Sequence, residues 1–393
     1  MPQLSKRDGT FTDSVIRRMT RISDETPGSI NLSQGFPDFD PPQIVLDAME
    51  EMSAGGPQHQ YPITFGSENL RKCIADKYSP RLGRTIDPEE EVVVTCGGTE
   101  AMMAAMLSVC NPGDKVIVFS PYYENYGTDA ILSGAEPIYV PLVPPTYAFD
   151  PVVLEDAFKQ GAKAIIVCNP SNPCGKVFTR EELLCIMDLA EKYDAFVVTD
   201  EVYEHIVFAP YEHVMAASLP GAYERTITCN SLSKTFSITG WRIGFIIAKP
   251  EVAECIKKVH DFLTIGAPGP LQEAICAAFT LGDDYYEEML ETYTRKRELF
   301  CSGLDKIGLP HSTPQGSYFV MVDISGFLAK EQFAGWTDLQ FCEWMIKEVG
   351  VAAVPGSSFF AEPVNHLIRL HFARSEESLQ EAIDRMMGLK KYL

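Results

Sequence analysis

Residues 162–200 read "AKAIIVCNPSNPCGKVFTREELLCIMDLAEKYDAFVVTD", and this stretch indicates the class of structure. A short apolar run lies at each end. Between them, residues 179–194 have a helical pattern, with Thr179 and Glu182 at the spacing of a capping box. Strands that are buried on both faces and joined by a helix form parallel sheets covered by helices. The stretch therefore predicts a strand–helix–strand unit of an α/β protein.

The same alternation of strand and helix patterns extends over roughly residues 50–250. Seven short runs rich in Val and Ile have the length and the bounding turns of buried strands. They are 91–96, 115–120, 137–142, 162–169, 195–200, 225–230 and 242–248. Because helical patterns separate several of them, we predict a mostly parallel seven-stranded sheet with helices on its faces, in a large domain.

The pattern changes after Pro268. Long helical stretches follow, and strand patterns return only at 317–324 and 366–373. This mixture predicts a smaller α+β domain. The predicted division of the chain is an N-terminal segment that joins the small domain (1–48), a large domain (49–280) and a C-terminal small domain (281–393).

The charge of the chain limits the partners that it can bind. Asp and Glu number 54 and Lys and Arg number 33, which gives a formal net charge of −21 at pH 7. Nucleic acids and anionic membranes require basic surfaces, so neither is expected as a partner. The short basic cluster at 294–299 is expected to be a solvated helix face.

Cysteine usage and apolar runs bear on the compartment. The eleven cysteines include no C-x-x-C pair, which argues against a disulfide framework and against a zinc site. The N-terminal stretch "MPQLSKRDGTFTD" has no apolar region typical of a secretory signal. No apolar run approaches the roughly 20 residues that a membrane-spanning helix needs. We expect a soluble cytoplasmic protein with no membrane partner.

Polar residues follow several predicted strands, where open α/β sheets bind their ligands. Gly98 and Thr99 lie at a strand-to-helix turn whose N–H groups can bind an anion, although such glycines are more often plain turn residues. Asn172 follows another strand in a proline-flanked turn. Asp200 ends the next strand, with Tyr203 three positions on. Taken alone, Asp200 is most simply a structural salt-bridge residue.

Lys234 completes this set of polar residues. It follows Ser231 in a loop after a further strand, and Arg242 opens the next apolar run. Together these groups match pyridoxal 5′-phosphate, whose phosphate, ring nitrogen, phenolic oxygen and aldehyde need an anion cradle, a carboxylate, polar donors and an amine. A metal site matches less well, because no two of the seven histidines show ligand spacing within one element. A serine hydrolase would need a G-x-S-x-G motif, which is missing.

In combination, several motifs resemble the class I aminotransferases, which are fold-type I enzymes dependent on pyridoxal phosphate. The similarity extends from "INLSQGFPDFDPP" near residue 30 to "IRLHFA" at 368–373. Between them lie "QYPITFG", "GGTEA", "NPSNPCGKVF", "TDEVYEH", "SLSKTFSITGWRIG", "PQGSYF" and "VPGSSF". The chain is most similar to the branch that contains kynurenine aminotransferase, glutamine transaminase K (a cysteine-conjugate β-lyase) and archaeal aromatic aminotransferases.

The resemblance implies a role for each matched residue around the coenzyme. Lys234 would form the Schiff base, and Asp200 would pair with the ring nitrogen. Asn172 and Tyr203 would bind the phenolic oxygen. The remaining coenzyme contacts implied are those of Gly98, Thr99, Ser231 and Arg242 with the phosphate, and of Tyr123 with the face of the ring.

The resemblance also implies how the substrate binds and how the chain assembles. Arg369 would bind the substrate α-carboxylate through two hydrogen bonds, helped by Asn172 and the backbone of Gly35. Tyr61 would reach the phosphate of the neighbouring subunit. A homodimer with shared active sites is therefore expected.

The implied reaction moves the α-amino group of an L-amino acid to a 2-oxo acid, 2-oxoglutarate or pyruvate, in a ping-pong sequence. A C–S β-lyase acting on cysteine conjugates or cystathionine remains the alternative on the same scaffold. Acyl transfer also shares this fold. A coenzyme-sensing regulator would need a fused DNA-binding segment, and neither chain end has the expected length or basic charge.

Two residues at the predicted phosphate turn, Thr99 and Glu100, concern the choice of substrate and the charge of this turn. In the aspartate-specific branch a lysine is expected where Thr99 stands, which argues against strict use of aspartate. Glu100 is unusual beside a phosphate cradle. The simplest expectation is that its carboxylate caps the helix or faces solvent in the first turn.

Overall fold

The computed structural model of the chain describes residues 2–3, 9, 11 and 13–393. Its α-helices are α1 (Val15–Asp24), α2 (Gln43–Ser53), α3 (Glu68–Leu82), α4 (Gly98–Val109), α5 (Asn125–Leu132), α6 (Pro151–Phe158), α7 (Arg180–Lys192), α8 (Pro250–Thr264), α9 (Gly269–Ile275), α10 (Asp283–Ile307), α11 (Ser325–Leu328), α12 (Asp338–Glu348) and α13 (Glu376–Met386). Its strands are β1 (Ile30–Asn31), β2 (Val92–Thr95), β3 (Lys115–Ser120), β4 (Glu136–Pro141), β5 (Ala162–Cys168), β6 (Phe196–Asp200), β7 (Thr226–Ser231), β8 (Gly244–Ile247), β9 (Phe319–Asp323), β10 (Val351–Ala352), β11 (Val354–Pro355) and β12 (Leu367–His371). Within the described residues, no helix is both long and apolar enough to cross a membrane.

Seven strands form the central sheet in the spatial order β2–β8–β7–β6–β5–β3–β4. Strands β3 to β7 run parallel to one another, and β8 is antiparallel to both of its neighbours. They coincide with the seven Val- and Ile-rich runs, so the predicted α/β class and the mostly parallel sheet are confirmed. Strands β2, β7 and β8 are buried along their whole length, as expected for a sheet with helices on both faces.

Helix α7 shows how local sequence fixes an element between two parallel strands. The hydroxyl of Thr179 accepts the N–H of Glu182 at 3.2 Å, and the Glu182 carboxylate accepts the N–H of Thr179 at 2.9 Å. This is the predicted capping box. Leu183, Ile186 and Met187 on the inner face are buried in the core, where each contributes about 1.5–3 kcal/mol.

A three-stranded antiparallel sheet, β11–β12–β9, forms the centre of the C-terminal part of the chain. Strand β12 pairs with β9 along its whole length, with Arg369 opposite Met321. A second core of large apolar side chains, among them Phe300 and Phe341, joins this sheet to α10, α12 and α13. Strands β9 and β12 are the two that the sequence predicts in this region.

The N-terminal segment packs on this C-terminal sheet. Strand β1 pairs in parallel with β10, Ile30 lying opposite Val351. Helix α1 contacts α12 and buries Ile16 and Met19 on its inner face. Residues from the two ends of the chain thus share one core.

One prediction about surface charge is wrong for one residue of its cluster, since Arg295 and Glu298 are exposed as expected. Residues 294–299 lie in α10, and Lys296 within them is buried rather than solvated. Its Nζ lies 3.3 Å from a carboxylate oxygen of Asp38 and 5.7 Å from the ring centre of Tyr293. The charge partner is 258 positions away in the sequence, so no local pattern could have revealed it.

Candidate active site

The predicted site residues leave the central sheet at its carboxyl edge. Asp200 ends β6 and lies in register with Cys168 of β5 on one side and Cys229 of β7 on the other. Asn172 lies in the turn after β5, and Ser231 ends β7. Parallel α/β sheets bind ligands at this edge. The sheet therefore brings these side chains to one place.

The turn between β2 and α4 provides a concave backbone surface. Gly97 precedes the helix with a φ of +81°, and a Cβ on it would lie 2.4 Å from Nη2 of Arg242. A Cβ on Gly244 would lie 2.5 Å from the carbonyl carbon of Gly97. Only glycine lacks the Cβ that would block the approach of Arg242 and Gly244 to this turn. The unpaired N–H groups of the α4 N-terminus and the Arg242 guanidinium therefore lie close together.

The four predicted phosphate residues border this surface. A Cβ on Gly98 would lie 3.4 Å from the Cβ of Ser231, so the start of α4 lies beside the end of β7. The Ser231 hydroxyl accepts the N–H of Ser233 at 3.2 Å, and the two hydroxyls are 2.9 Å apart. Thr99 and Arg242 keep their side chains exposed. Backbone N–H groups, hydroxyls and a guanidinium together suit an anion.

Lys234 reaches from the loop after β7 to the N-terminal segment. Its Nζ donates to the carbonyl of Gly35 at 3.1 Å, and the hydroxyl of Tyr318 donates to the same oxygen at 3.1 Å. Burial lowers the pKa of the Lys234 amine to about 8, and the positive charge of Arg242 acts in the same direction, against the attraction of Asp200. This amine therefore gives up its proton at a lower pH than an exposed lysine does.

Asp200 is held by two hydrogen bonds. Its Oδ2 accepts the hydroxyl of Tyr126 at 2.7 Å, and its Oδ1 accepts the N–H of Val202 at 3.2 Å. Burial raises the pKa of the carboxyl even though both hydrogen bonds favour its ionised form. A carboxylate in this environment is suited to a cationic partner. Tyr126 is not among the predicted site residues, because its motif "SPYYENY" gives no sign of a contact with Asp200.

Arg369 is a buried cation, with 1 % of its surface exposed. Its Nη1 donates to Oδ1 of Asn172 and its Nη2 to the carbonyl of Ser33, both at 2.7 Å. The guanidinium carbon lies 4.3 Å from the ring centre of Phe319 and 4.6 Å from that of Phe359. Its buried Nε has no partner among the described residues. Burial lowers the pKa of Arg369 to about 10. The buried positive charge and the unpaired Nε–H make this guanidinium suitable for binding an anion.

The three predicted tyrosines differ in their placement. Tyr203 is buried and meets Tyr318 edge-on, with ring centres 5.2 Å apart. Tyr123 meets Tyr126 edge-on at 5.7 Å. Both rings therefore border the site. Tyr61 is 83 % exposed and projects into solvent. Tyr318 is a second site residue that is absent from the predicted set, although it lies in the motif "PQGSYF".

Glu100 is in a different environment from the one expected. Its carboxylate accepts the N–H of Cys96 at 2.5 Å, one residue before the N-cap Gly97, so it contacts the turn that precedes α4 and not a free N–H group of the helix. The alternative, that it faces solvent, is wrong, because the side chain is buried. It lies 2.7 Å from Nδ1 of His260 and accepts the hydroxyl of Thr264 at 2.7 Å. Both partners belong to α8, and His260 is 160 positions away in the sequence.

Potential metal ligands also meet beyond the end of β6. Glu201, Glu204 and His213 place ligand atoms within 4.8 Å of one another. Glu204 is already paired with Arg81 and accepts the hydroxyl of Tyr78. Because a guanidinium neutralises this carboxylate, the cluster fits a buried ion-pair network better than a cation site.

Comparisons with known proteins identify the family of this chain. A family model described as "Aminotransferase class I and II" matches residues 27–386. The chain is 34% identical to human kynurenine–oxoglutarate transaminase 1 over 389 residues, 92% of each chain. It is 36% identical to a probable N-succinyldiaminopimelate aminotransferase of Mycobacterium tuberculosis over 96% of each chain. An Escherichia coli structure, described as having a methionine aminotransferase function, matches with a TM-score of 0.91 and 32% identity over 99% of this chain and 100% of that one.

Proposed function

The chain belongs to the class I and II aminotransferases, and on that premise we propose which of its residues carry out the reaction. It is a pyridoxal-phosphate-dependent enzyme of fold type I that transfers amino groups between amino acids and oxo acids. We propose that an L-amino acid is the donor, that 2-oxoglutarate or pyruvate is the acceptor, and that the two half-reactions follow a ping-pong sequence.

One relationship supports this assignment most directly. Lys234 donates to the carbonyl of Gly35 at 3.1 Å, and Arg369 donates to the carbonyl of Ser33 at 2.7 Å. A segment of three residues thus holds an amine of lowered pKa and a buried guanidinium near each other. An α-amino acid carries its amino group and its carboxylate on one carbon. Lys234 lies where it can act beside the amino group, and Arg369 where it can bind the carboxylate.

The residues present fit the coenzyme. The Gly97–Gly98 turn and Arg242 offer N–H groups and a positive charge to a phosphate, in a space that a Cβ would fill. Asp200 offers a carboxylate to the ring nitrogen, and Lys234 offers an amine to the aldehyde. When bound, the coenzyme supplies the electron sink for the negative charge that develops on the substrate Cα.

We assign the movement of the Cα proton to Lys234. Its pKa of about 8 lies near the working pH, where a general base is most effective. Arg369 fixes the substrate carboxylate and thereby turns the Cα–H bond toward this amine. Asp200, oriented by Tyr126, stabilises a positive charge on the ring nitrogen.

Asn172 and Tyr203 are proposed to bind the phenolic oxygen, and Tyr123 to stack on the ring. The side-chain oxygen of Asn172 accepts a hydrogen bond from Arg369, and the NH₂ group of the same amide can donate to another acceptor. One amide can therefore orient both the substrate carboxylate and the coenzyme. Burial raises the pKa of Tyr203 well above its usual value, so the phenol keeps its proton and can donate it to an oxygen.

We also propose the division into an N-terminal segment (1–48), a large domain (49–280) and a small domain (281–393). The pairing of β1 with β10 supports the grouping of the first segment with the last. A homodimer is proposed because Tyr61 and Phe262, 83 % and 92 % exposed, lie on two segments that meet where Gly266 approaches Thr64. In the dimer, Tyr61 would contact the phosphate of the neighbouring subunit.

A panel of amino donors assayed against 2-oxoglutarate and pyruvate tests the proposal. The expected product of each donor is its own 2-oxo acid, formed in repeated turnovers only when an acceptor is present. In single-turnover experiments without acceptor, one equivalent of oxo acid per site is expected. Continuous release of ammonia and pyruvate from a cysteine conjugate without any acceptor would instead identify the β-lyase. No relative reported above is named as a lyase.

A further inference from the structure

A buried acid–base pair behind the phosphate turn has no part in the reaction described so far. Glu100 lies in the first turn of α4, and His260 lies on α8 with none of its surface exposed. We propose that His260 is a positioning residue for the coenzyme phosphate: as an imidazolium it neutralises Glu100 and so permits a second anion to bind at the adjoining turn.

The hydrogen bonds of His260 require a proton on each ring nitrogen. Nδ1 lies 2.7 Å from the Glu100 carboxylate, and Nε2 lies 2.7 Å from the carbonyl oxygen of Thr64. The carbonyl can only accept, and the Glu100 carboxylate, whose pKa is lowered by this pairing, also accepts in its ionised form. A neutral imidazole has a single N–H and would direct a lone pair at one of these oxygens. The geometry is therefore that of an imidazolium.

An ionised Glu100 without this partner would oppose the binding of phosphate. Its carboxylate accepts the N–H of Cys96 at 2.5 Å, so it lies against the turn whose next residues are Gly97 and Gly98. Like charges in a partly buried site repel one another strongly. The α4 N-terminus favours an anion, but its partial positive charge is only about half a unit. With His260 protonated, the Glu100–His260 pair has no net charge, and the partial positive charge of the α4 N-terminus can attract the phosphate.

The groups that face His260 come from several elements. Glu100 belongs to α4 and the carbonyl of Thr64 to the segment before α3, while Asp261 lies on α8 itself. Burial lowers the pKa of the His260 ring, but the hydrogen bond and charge of Glu100 outweigh burial, and the pKa is raised overall. The same pairing lowers the pKa of Glu100 against the effect of burial. A bound phosphate would favour the imidazolium further, since binding and protonation are linked.

The inference rests on the proposed phosphate role of this turn, and the experiment separates the two. Apo-enzyme of the wild type, Glu100→Gln, His260→Gln and the double variant is titrated with pyridoxal phosphate and with pyridoxal, which lacks the phosphate. Visible absorbance reports binding. His260→Gln leaves the Glu100 charge uncompensated, so the affinity for pyridoxal phosphate should fall about tenfold. The double variant removes both charges and should return to within about threefold of wild type. Affinity for pyridoxal should not change.

A merely structural pair predicts the opposite order. If the double variant binds pyridoxal phosphate as weakly as His260→Gln, or if pyridoxal affinity falls equally, the inference is wrong. Should His260→Gln fail to fold, Glu100→Gln alone decides, because it should bind pyridoxal phosphate at least as tightly as wild type; a tenfold loss overturns the inference. Arg242→Ala is the control for the turn: if it leaves the affinity for pyridoxal phosphate unchanged, the proposed phosphate site itself is wrong.

Discussion

Arg369 donates a hydrogen bond to the side-chain oxygen of Asn172 over 2.7 Å, which joins β12 to the turn after β5. The two residues are 197 positions apart in the chain. A second bond to the carbonyl of Ser33 and the flanking rings of Phe319 and Phe359 leave the guanidinium little freedom. A cation that is already oriented binds a carboxylate without losing further side-chain entropy. This arrangement makes Arg369 the part of the site that every amino-acid substrate should use.

Replacement of Arg369 by alanine should therefore weaken all donors alike. Loss of a buried charge partner costs about 2–5 kcal/mol, so KM should rise by about 100-fold for donors with small, aliphatic and aromatic side chains. Arg297→Ala is the matched control, because Arg297 also stacks on a ring, that of Phe208 at 4.3 Å, in the C-terminal part. A rise in KM for one donor class only would show that Arg369 meets the substrate side chain instead of the carboxylate.

Replacement of Lys234 by alanine should abolish both the attachment of the coenzyme and turnover. Without the amine, no covalent bond to the aldehyde can form and no group remains to move the Cα proton. The visible absorption of the bound coenzyme and at least about 99.9% of the transamination rate should disappear. Lys258→Ala, which changes an exposed lysine of α8, should retain both. Borohydride reduction of wild type followed by peptide mapping should label Lys234, and a label on any other lysine would contradict the assignment.

The central sheet could be predicted from the sequence because each of its strands is a local apolar pattern. The helix between β5 and β6 was equally clear, since Thr179 and Glu182 form its cap within four consecutive residues. Strands β1 and β10 could not be predicted in this way. Each has only two residues, and they form because Ile30 and Val351 meet across more than 300 positions of chain.

The residues of the candidate site likewise fall into those that a local pattern predicts and those that depend on tertiary contacts. Lys234, Asp200 and Asn172 were predicted because they follow recognisable strands and lie in motifs that resemble a family. The contact of Tyr126 with Asp200 and that of His260 with Glu100 depend on how α5 and α8 pack beside the sheet. Such tertiary contacts leave no spacing in the sequence, and the expectation that Glu100 faces solvent was wrong for this reason.

Asp129 should make the protein less stable as the pH rises. The residue is 3 % exposed, and its Oδ2 has no hydrogen-bond partner in the part of the chain that the structure describes. Burial raises the pKa of its carboxyl to about 8, and the negative charge of Asp200 acts in the same direction. The folded state thus holds a proton that the unfolded chain releases near pH 4. Between pH 4 and pH 8 ionisation favours the unfolded state, and the free energy of unfolding decreases.

Asp129→Asn removes this titration and should stabilise the apo-enzyme relative to wild type. The gain should be about 1 kcal/mol at pH 5 and about 3 kcal/mol or more at pH 8, measured by urea denaturation. Asp188→Asn, an exposed position on α7, should show no such trend. A difference between Asp129→Asn and wild type that stays constant over this pH range would mean that the carboxyl is not protonated in the folded protein.

The exposed apolar residues on the two segments that hold Tyr61 and Phe262 predict where two chains meet. Phe262 is 92 % exposed, Ile265 49 % and Ile63 52 %, and a Cβ on Gly266 would lie 3.3 Å from the carbonyl of Thr64, so the two segments are adjacent. A patch of this kind is typical of a protein interface.

Phe262→Asp places a charge on this apolar patch and should weaken the dimer by about 100-fold or more in sedimentation equilibrium. It should also lower the affinity for pyridoxal phosphate, because Tyr61 would leave the neighbouring site. Val152→Asp, at a position 64 % exposed on α6, is the control and should remain dimeric. A Phe262→Asp variant that is still a dimer at nanomolar concentration would show that the chains associate through another surface.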